Sequence, residues 1–431
     1  MLTSNPQRLA WITMLTALVI FCLLCVSTIV FARWLIFESP TELNVTLNVG
    51  RGTVGLAEPD SDAKAIRSPA AVGTDNRLST DNTSQGYMAF SDPYSGDILA
   101  TIMLRKNSVA TLSTANRPRF SLSDNAYVIR VTDASGRFEV WVSDDLKREL
   151  RLELSGPLGT AHIETGGHYL VETTTEYMTI NTRLGTATLI SRAGPTQHLS
   201  MSTEGTIRLG DSAILTRPGP VDLLPNWNFD QSQDWPVEWN CTHEYSPDNQ
   251  SGPPGRWFFT RVDGRGAVHI ERMQPQPGPG TTLCNQYLSG PDGQLDVSQY
   301  DGLRLRLTMQ VHHQSLSACG VIGTECPIML HISYDDKNGN RRSWYHGFYV
   351  EFRPNEGRTA CGECLEEHEQ LNKDAWYTYE SGNLFTDWPE DLRPAAIEFI
   401  EFRAGGHQYD VMLSEVALIA TRDDSTLAGV P

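Results

Sequence analysis

YVIRVTDASGRFEVWVSDDLKRELRLEL, residues 127–154, alternates apolar and polar side chains in short runs broken by turn residues. Tyr127-Val128-Ile129-Arg130-Val131, Phe138-Glu139-Val140-Trp141-Val142 and Arg151-Leu152-Glu153-Leu154 each carry the period of two that turns one face of a strand toward a core. Ser135-Gly136, Asp144-Asp145 and Gly156-Pro157 stand between them as turn signals, and no helical period runs through the stretch. The reading is an all-β unit.

The same rhythm extends in both directions. Ile98-Leu99-Ala100-Thr101-Ile102 precedes it. Gly166-Gly167-His168-Tyr169-Leu170-Val171-Glu172, Tyr177-Met178-Thr179-Ile180-Asn181, Gly185-Thr186-Ala187-Thr188-Leu189-Ile190 and Gly205-Thr206-Ile207-Arg208-Leu209-Gly210 follow. Short strands at this spacing predict a stacked or rolled β-sandwich over residues 87–220. On these residues the chain resembles the FecR-like extracytoplasmic domain: repeated strand pairs, a Gly-x-Tyr-x-Val element at Gly167-His168-Tyr169-Leu170-Val171, and a closing strand pair from Gly205 to Leu215. Signalling members of that family carry a cytoplasmic anti-sigma segment before a membrane span. About nine residues stand in that place here, too few to fold a helical domain, so the resemblance implies the fold and not the relay.

Toward the carboxyl end, Leu223-Leu224-Pro225-Asn226-Trp227-Asn228-Phe229-Asp230, with Trp235 and Trp239, resembles the opening strand of galactose-binding-like jelly rolls, which include many carbohydrate-binding modules. Tyr409-Asp410-Val411-Met412-Leu413-Ser414-Glu415-Val416-Ala417-Leu418 resembles their closing strand. Between them, Tyr300 to Leu307 and Ile328 to Tyr334 alternate as strands do, and Asp335 to Asn340 reads as a hairpin turn. The expectation is a second β-sandwich over 221–421, with a tail at 422–431. The resemblance also implies a structural calcium held by Asp230. Ser414 and Glu415 replace the usual Asp-Asn partners, and one matched carboxylate falls short of the six to eight oxygens calcium takes.

Seven of the ten tryptophans lie at or after position 227, and aromatics concentrate in Trp344-Tyr345-His346-Gly347-Phe348-Tyr349 and Trp376-Tyr377-Thr378-Tyr379, read as adjacent strands. Planar side chains flanked by polar groups can stack on sugar rings, whereas the plainer reading places them in the core of a large sandwich. Alternation puts Trp344 and His346 on one face and Tyr345 and Gly347 on the other. The candidate ligand-binding residues are Trp344, Tyr345, Tyr349, Trp376 and Tyr379.

Six of the eight cysteines lie in this second half: Cys241, Cys284, Cys319, Cys326, Cys361 and Cys364. An even set confined to one region fits a disulfide framework in an oxidising compartment. Six cysteines allow fifteen pairings, and local proximity favours Cys241 with Cys284, Cys319 with Cys326, and Cys361 with Cys364. Zinc held by Cys361, Cys364 and the nearby His368 is the competing reading.

Ala10 to Phe31 is an apolar run without a charge, long enough to cross the roughly 30 Å core of a bilayer, with Trp11 and Trp34 at its ends. A secretory signal is the alternative, but the run exceeds a usual h-region and no small-x-small cleavage site follows. Residues 1–9 are expected to be cytoplasmic, 10–32 a transmembrane helix and 33–86 a flexible stalk rich in Ser, Thr, Asn, Asp, Pro and Ala. The disulfide pattern places the bulk outside the cytoplasm. Sequons at Asn44, Asn82, Asn240 and Asn249 agree with exposure.

A net charge of −18 without a basic cluster argues against nucleic acid or anionic lipid as partner of the soluble part. Standard catalytic signatures are absent, and His368-Glu369-Gln370-Leu371-Asn372 has Asn where a zinc protease has its second His. The expectation is therefore a mainly β, non-enzymatic protein with one N-terminal transmembrane helix and two sandwich-type domains. It needs no cofactor beyond a possible calcium. Its expected partners are a glycan or envelope polymer, or alternatively an envelope protein.

Overall fold

Alternation in the quoted stretch becomes alternating burial. In the strand Leu150–Ser155 the side chains of Leu150, Leu152 and Leu154 are sealed in a core while Arg151 is exposed. The computed structural model describes residues 6–229, 238–244, 252–274, 278–288 and 293–422, and it is mainly β, with one long helix before two β units. Asp230 and Trp235, the calcium candidate and one of the opening tryptophans, lie outside the described residues.

The helix Pro6–Phe37 is long and apolar enough to cross a membrane, and its apolar side chains from Leu9 to Phe31 are exposed. The expected stalk does not follow it. Pro40–Glu42, Asn44–Arg51, Val54–Ala57, Lys64–Ile66, Ala70–Ala71 and Arg77–Ser79 are strands, and Val45, Leu47, Val49, Val54 and Leu78 belong to the first core. The segment is polar on average because its strands are short and each buries one face only. Asn44–Arg51 pairs antiparallel with Gln85–Ser91, and Pro40–Glu42 with Val109–Pro118, so the first unit starts at about residue 40.

Eighteen strands of that unit close on themselves as a rolled barrel among the described residues. One strand, Tyr127–Val142, serves both sides: its first part pairs with Val109–Pro118 and Leu150–Ser155, its second with Ile98–Leu104 and Gly167–Thr173. Ser135-Gly136, expected as a turn, instead lies inside this strand, just after a register shift between Thr132 and Ser135. Gly136 has φ +107°, and a Cβ there would lie 2.7 Å from the carbonyl of Asn107, so glycine alone lets the strand bend across.

The second unit has two facing sheets around a core that includes Trp239, Trp344, Phe348, Phe402 and Tyr409. One sheet, called the docking sheet below, runs in the order Arg256–Val262, Arg265–Arg272, Tyr409–Thr421, Gly302–Gln314, Tyr377–Glu380. The other, called the outer sheet, runs Asn240–Glu244, Gly280–Tyr287, Pro394–Gly406, Ile328–Asp336, Arg341–Tyr349, Glu369–Gln370. The two aromatic segments expected on adjacent strands therefore lie on different sheets. Asp335 to Asn340 is the expected hairpin turn, tied by Asp336 Oδ1 accepting from the N–H groups of Asn338 and Asn340 at 2.8 and 2.9 Å.

Candidate functional site

A sheet of two-faced strands offers one inner and one outer surface, and the second unit has two outer surfaces to account for. That of the docking sheet is largely spent against the first unit. Arg306 enters the junction and forms ion pairs with Glu139, with Glu415 at 3.0 Å and with Glu380 at 3.0 Å. Arg183 bridges Glu415 and Asp222, and its guanidinium lies 3.7 Å from the Trp227 ring centroid. His168 stacks on Trp141 at 4.0 Å and meets Glu139 Oε1 at 3.0 Å. Arg265 lies between the rings of Trp141 and Trp376, at 4.9 and 5.4 Å. The Gln85 amide pairs with both backbone groups of Thr378, on an edge strand.

Buried charge needs partners to survive, and these groups have them. Burial opposes the ionisation of Glu139 and Glu415, but the guanidiniums outweigh it. With Arg306 as the main cause and His168 assisting, the Glu139 carboxyl is held well below its ordinary range; Arg306 and Arg183 bring Glu415 to about 2. His168 is pushed down to about 4 by burial and stays neutral near pH 7.

The outer sheet keeps its outer face, and register arranges that face in rows. Tyr345, His331, Glu401, Asn285 and Asn240 stand opposite one another across five strands. Ser343, Ser333, Phe399 and Tyr287 form the next row. Across these two rows the rings touch in sequence. Tyr345 stacks on His331 with centroids 4.2 Å apart and planes 13° apart, His331 meets Phe399 edge-on at 5.0 Å, and Phe399 meets Tyr287 at 5.4 Å. Four strands at the usual spacing carry this run over roughly 14 Å. Tyr287 is 64% exposed, Tyr345 and Phe399 are half-buried, and His331 is buried between them, linking the rings rather than offering a face.

Polar groups flank the rings. Arg403 forms an ion pair with Glu401 and stands 5.7 Å from the Tyr345 centroid. His331 Nδ1 lies 3.2 Å from Glu401 Oε1. Burial opposes ionisation of Glu401, but His331 and Arg403 outweigh it and hold the carboxyl below its ordinary range. Ser333 donates to Glu398 at 2.7 Å, and Arg341 pairs with the same carboxylate. The third row, Gly347, Met329, Arg403 and Leu283, ends under loops carrying two disulfides. Ala318, Cys319, Cys326, Met329 and Tyr349 form a small core there, with Tyr345 at its margin. A Cβ at Gly347 would stand 2.1 Å from Cys326 Sγ, so no side chain fits beneath that loop.

Of the five residues expected to bind ligand, only Tyr345 faces solvent on this surface. Trp344 is 1% exposed and faces the sandwich interior beside Trp388 and His346. Tyr379 faces the same core. Tyr349 is sealed under the disulfide loops. Trp376 is fully buried at the junction with Tyr87 and Met103, its Nε1 donating to Asp263 at 2.8 Å. These four rings cannot stack on a sugar. His331, Phe399 and Tyr287 are the residues sequence reasoning passed over. Alternation in Ile328 to Tyr334 assigns His331 to the face away from Leu330 and Ile332, but the partner strands were needed to bring the rings together.

The three cysteine pairs form as proximity suggested: Cys241–Cys284, Cys319–Cys326 and Cys361–Cys364. His368, the zinc alternative's histidine, is occupied on both nitrogens, accepting from Gly347 N–H at 2.9 Å and donating to the Gly323 carbonyl at 2.8 Å.

No protein-family model matches the chain, and no curated protein matches it by sequence. Among solved structures, part of the chain is similar to a "putative anti-sigma factor" from Parabacteroides distasonis ATCC 8503, with 14% identity, a TM-score of 0.25, and coverage of 33% of this chain and 59% of that one. The chain is also similar, over part of its length, to the family 11 carbohydrate-binding module of Clostridium thermocellum in complex with a β-1,3-1,4-mixed-linked tetrasaccharide, with 13% identity, a TM-score of 0.25 and coverage of 43% and 91%. The CBM22-1 xylan-binding domain of Paenibacillus barcinonensis Xyn10C matches with 10% identity, a TM-score of 0.25 and coverage of 47% and 97%. The chain thus spans 59% of the length of the anti-sigma factor it matches, and the site itself has to carry any functional reading.

Proposed function

We propose that this chain is a membrane-anchored, non-enzymatic binding protein that recognises a carbohydrate or similar envelope polymer on the outer face of its second β unit. The observation carrying the reading is the run of Tyr345, Phe399 and Tyr287, linked through the buried His331 and bordered by the half-buried Arg403 and Glu398, on the outer face of the outer sheet. Aromatic planes beside hydrogen-bonding groups suit a ligand whose rings are apolar on their faces and hydroxylated at their edges. The helix Pro6–Phe37 supplies the anchor, and three disulfides fit an extracytoplasmic position for everything after it.

A second reading, an envelope protein that binds a protein partner, is favoured by the tip of the Cys319–Cys326 loop. Val321 and Ile322 there are 74% and 62% exposed.

The test uses the full chain in lipid nanodiscs against a panel of glycans and cell-wall polymers. Saturable binding that falls at least tenfold in Tyr345→Ala and Tyr287→Ala, with melting unchanged, is the expected result. Absence of binding across the panel, or binding indifferent to both substitutions, overturns the assignment of this face.

A further inference from the structure

The first unit does not cover the whole docking sheet. Beyond Met412, at the margin of the junction cluster, the same sheet carries His269, Glu271, Asp410, His312 and His313. Register explains the convergence. Glu271 and Asp410 stand directly opposite on paired strands, and His313 stands opposite Asp410 on its other side. His269 Nε2 lies 2.6 Å from Asp410 Oδ1, and one ligand atom from each of His269, Glu271 and Asp410 lies within 4.8 Å of the others. All three are half-buried, so a small ion can reach them.

We propose that His269, Asp410 and Glu271, completed by His312, bind a divalent transition-metal ion of the zinc class. Two imidazoles and two carboxylates match the nitrogen and oxygen donors zinc takes, in the number of a tetrahedral site.

The state of His312 is the second, independent observation. Its Nδ1 lies 2.9 Å from Asp374 Oδ1. A carboxylate only accepts, so Nδ1 carries the proton and Nε2 presents a lone pair. That Nε2 is buried and has no hydrogen-bond partner among the described residues. The His312 ring stands 6.4 Å from that of His269, outside the cluster formed by His269, Glu271 and Asp410, so its side chain has to turn toward the ion to complete the site. An imidazole oriented by a carboxylate at one nitrogen and free at the other is the usual arrangement of a metal-ligating histidine. Arg256 pairs with Glu271 from the exposed side, and Phe258 packs edge-on against His269 at 4.6 Å.

The exchange balances simply. His269 Nε2 now faces Asp410 Oδ1; as the ion takes the Nε2 position, the single proton of the neutral ring stands on Nδ1, so the tautomer changes and no proton need be released.

Untagged protein in detergent micelles, titrated with zinc chloride by calorimetry, tests this. The expected result is one saturable site of one ion per chain. Asp410→Asn and His269→Gln should each weaken it more than tenfold. Asp374→Asn, which touches only His312, should weaken it about tenfold. His198→Gln, on an exposed strand of the first unit, should leave it unchanged. Melting without zinc is measured for each variant, and if Asp410→Asn does not fold, His312→Gln takes its place. No saturable binding, or an affinity unchanged in both His269→Gln and the folded member of that pair, overturns the proposal.

Discussion

Arg306 of the second β unit and Glu139 of the first form an ion pair across the junction, with side chains 2% and 1% exposed. Arg306 also pairs with Glu415 and Glu380 of its own unit, and Glu139 meets Arg105 and His168 of its own, so the pair joins charge networks of both units. Neither outer face is suited to water once the pair is formed, and the two units are expected to unfold as one. Four predictions follow from this arrangement and its neighbours.

Removing one partner of a buried pair leaves the other charged and dry. Arg306→Met strands Glu139 and Glu415 together, and a loss of about 3–5 kcal/mol in urea unfolding is expected. Combining it with Glu139→Gln and Glu415→Gln removes the stranded charges and should recover much of that loss. Equal losses in the single and triple variants would show that shape rather than charge holds the junction.

Acid should weaken the same junction. Glu139 and Glu415 are depressed in the folded protein from the ordinary 4.5, Glu415 to about 2, so their stabilisation is present above pH 4.5 and is lost as pH falls toward 2. His168, lowered from 6.5 to about 4, also favours unfolding as pH falls, because the unfolded chain takes the proton first. Asp222 acts oppositely. Burial raises its carboxyl from 3.8 to about 7 despite Arg183, so its contribution grows as pH falls through that window. The urea midpoint is therefore expected to change little from pH 7 to 5 and to drop steeply below 4.5. A midpoint flat down to pH 3 would contradict this account of the junction.

Two tryptophans once grouped with the ligand face should behave as structure. Trp344→Ala and Trp376→Ala empty sealed sites and are expected to cost about 3–5 kcal/mol each. Trp376→Ala also removes the ring beside Arg265, so the two units should begin to melt separately in calorimetry. Polymer affinity of whatever fraction stays folded should match the parent in both.

Among the disulfides, the span of the closed loop sets the ranking. Cys241–Cys284 encloses a sequence separation of 43, against 7 for Cys319–Cys326 and 3 for Cys361–Cys364. In the chain-entropy picture, replacing the first pair by serines costs about 4 kcal/mol, the second about 2.4 and the third about 1.6. Denaturant midpoints of the three double variants check the order. A larger loss for the Cys319–Cys326 pair than for the Cys241–Cys284 pair would assign its main role to holding the loop over Met329 and Tyr349.

Local pattern alone determined what local chemistry controls. Period-two alternation in Tyr127 to Leu154 and in Ile328 to Tyr334 made strands, the charge-free run Ala10 to Phe31 made a helix, and cysteines consecutive along the second half of the chain became the three pairs. It also placed Trp344 and Tyr345 on opposite faces. What it could not say was which face met water, because that depends on which sheet covers which. Tertiary packing decided that Trp376 seals a junction, that the polar segment after residue 40 buries Val45, Leu47 and Val49, and that His331, Phe399 and Tyr287 join Tyr345 in a run of rings across two neighbouring rows. The physical reason is the same in each case. Alternation is a property of one strand, whereas burial and convergence are properties of strands distant in sequence brought into register.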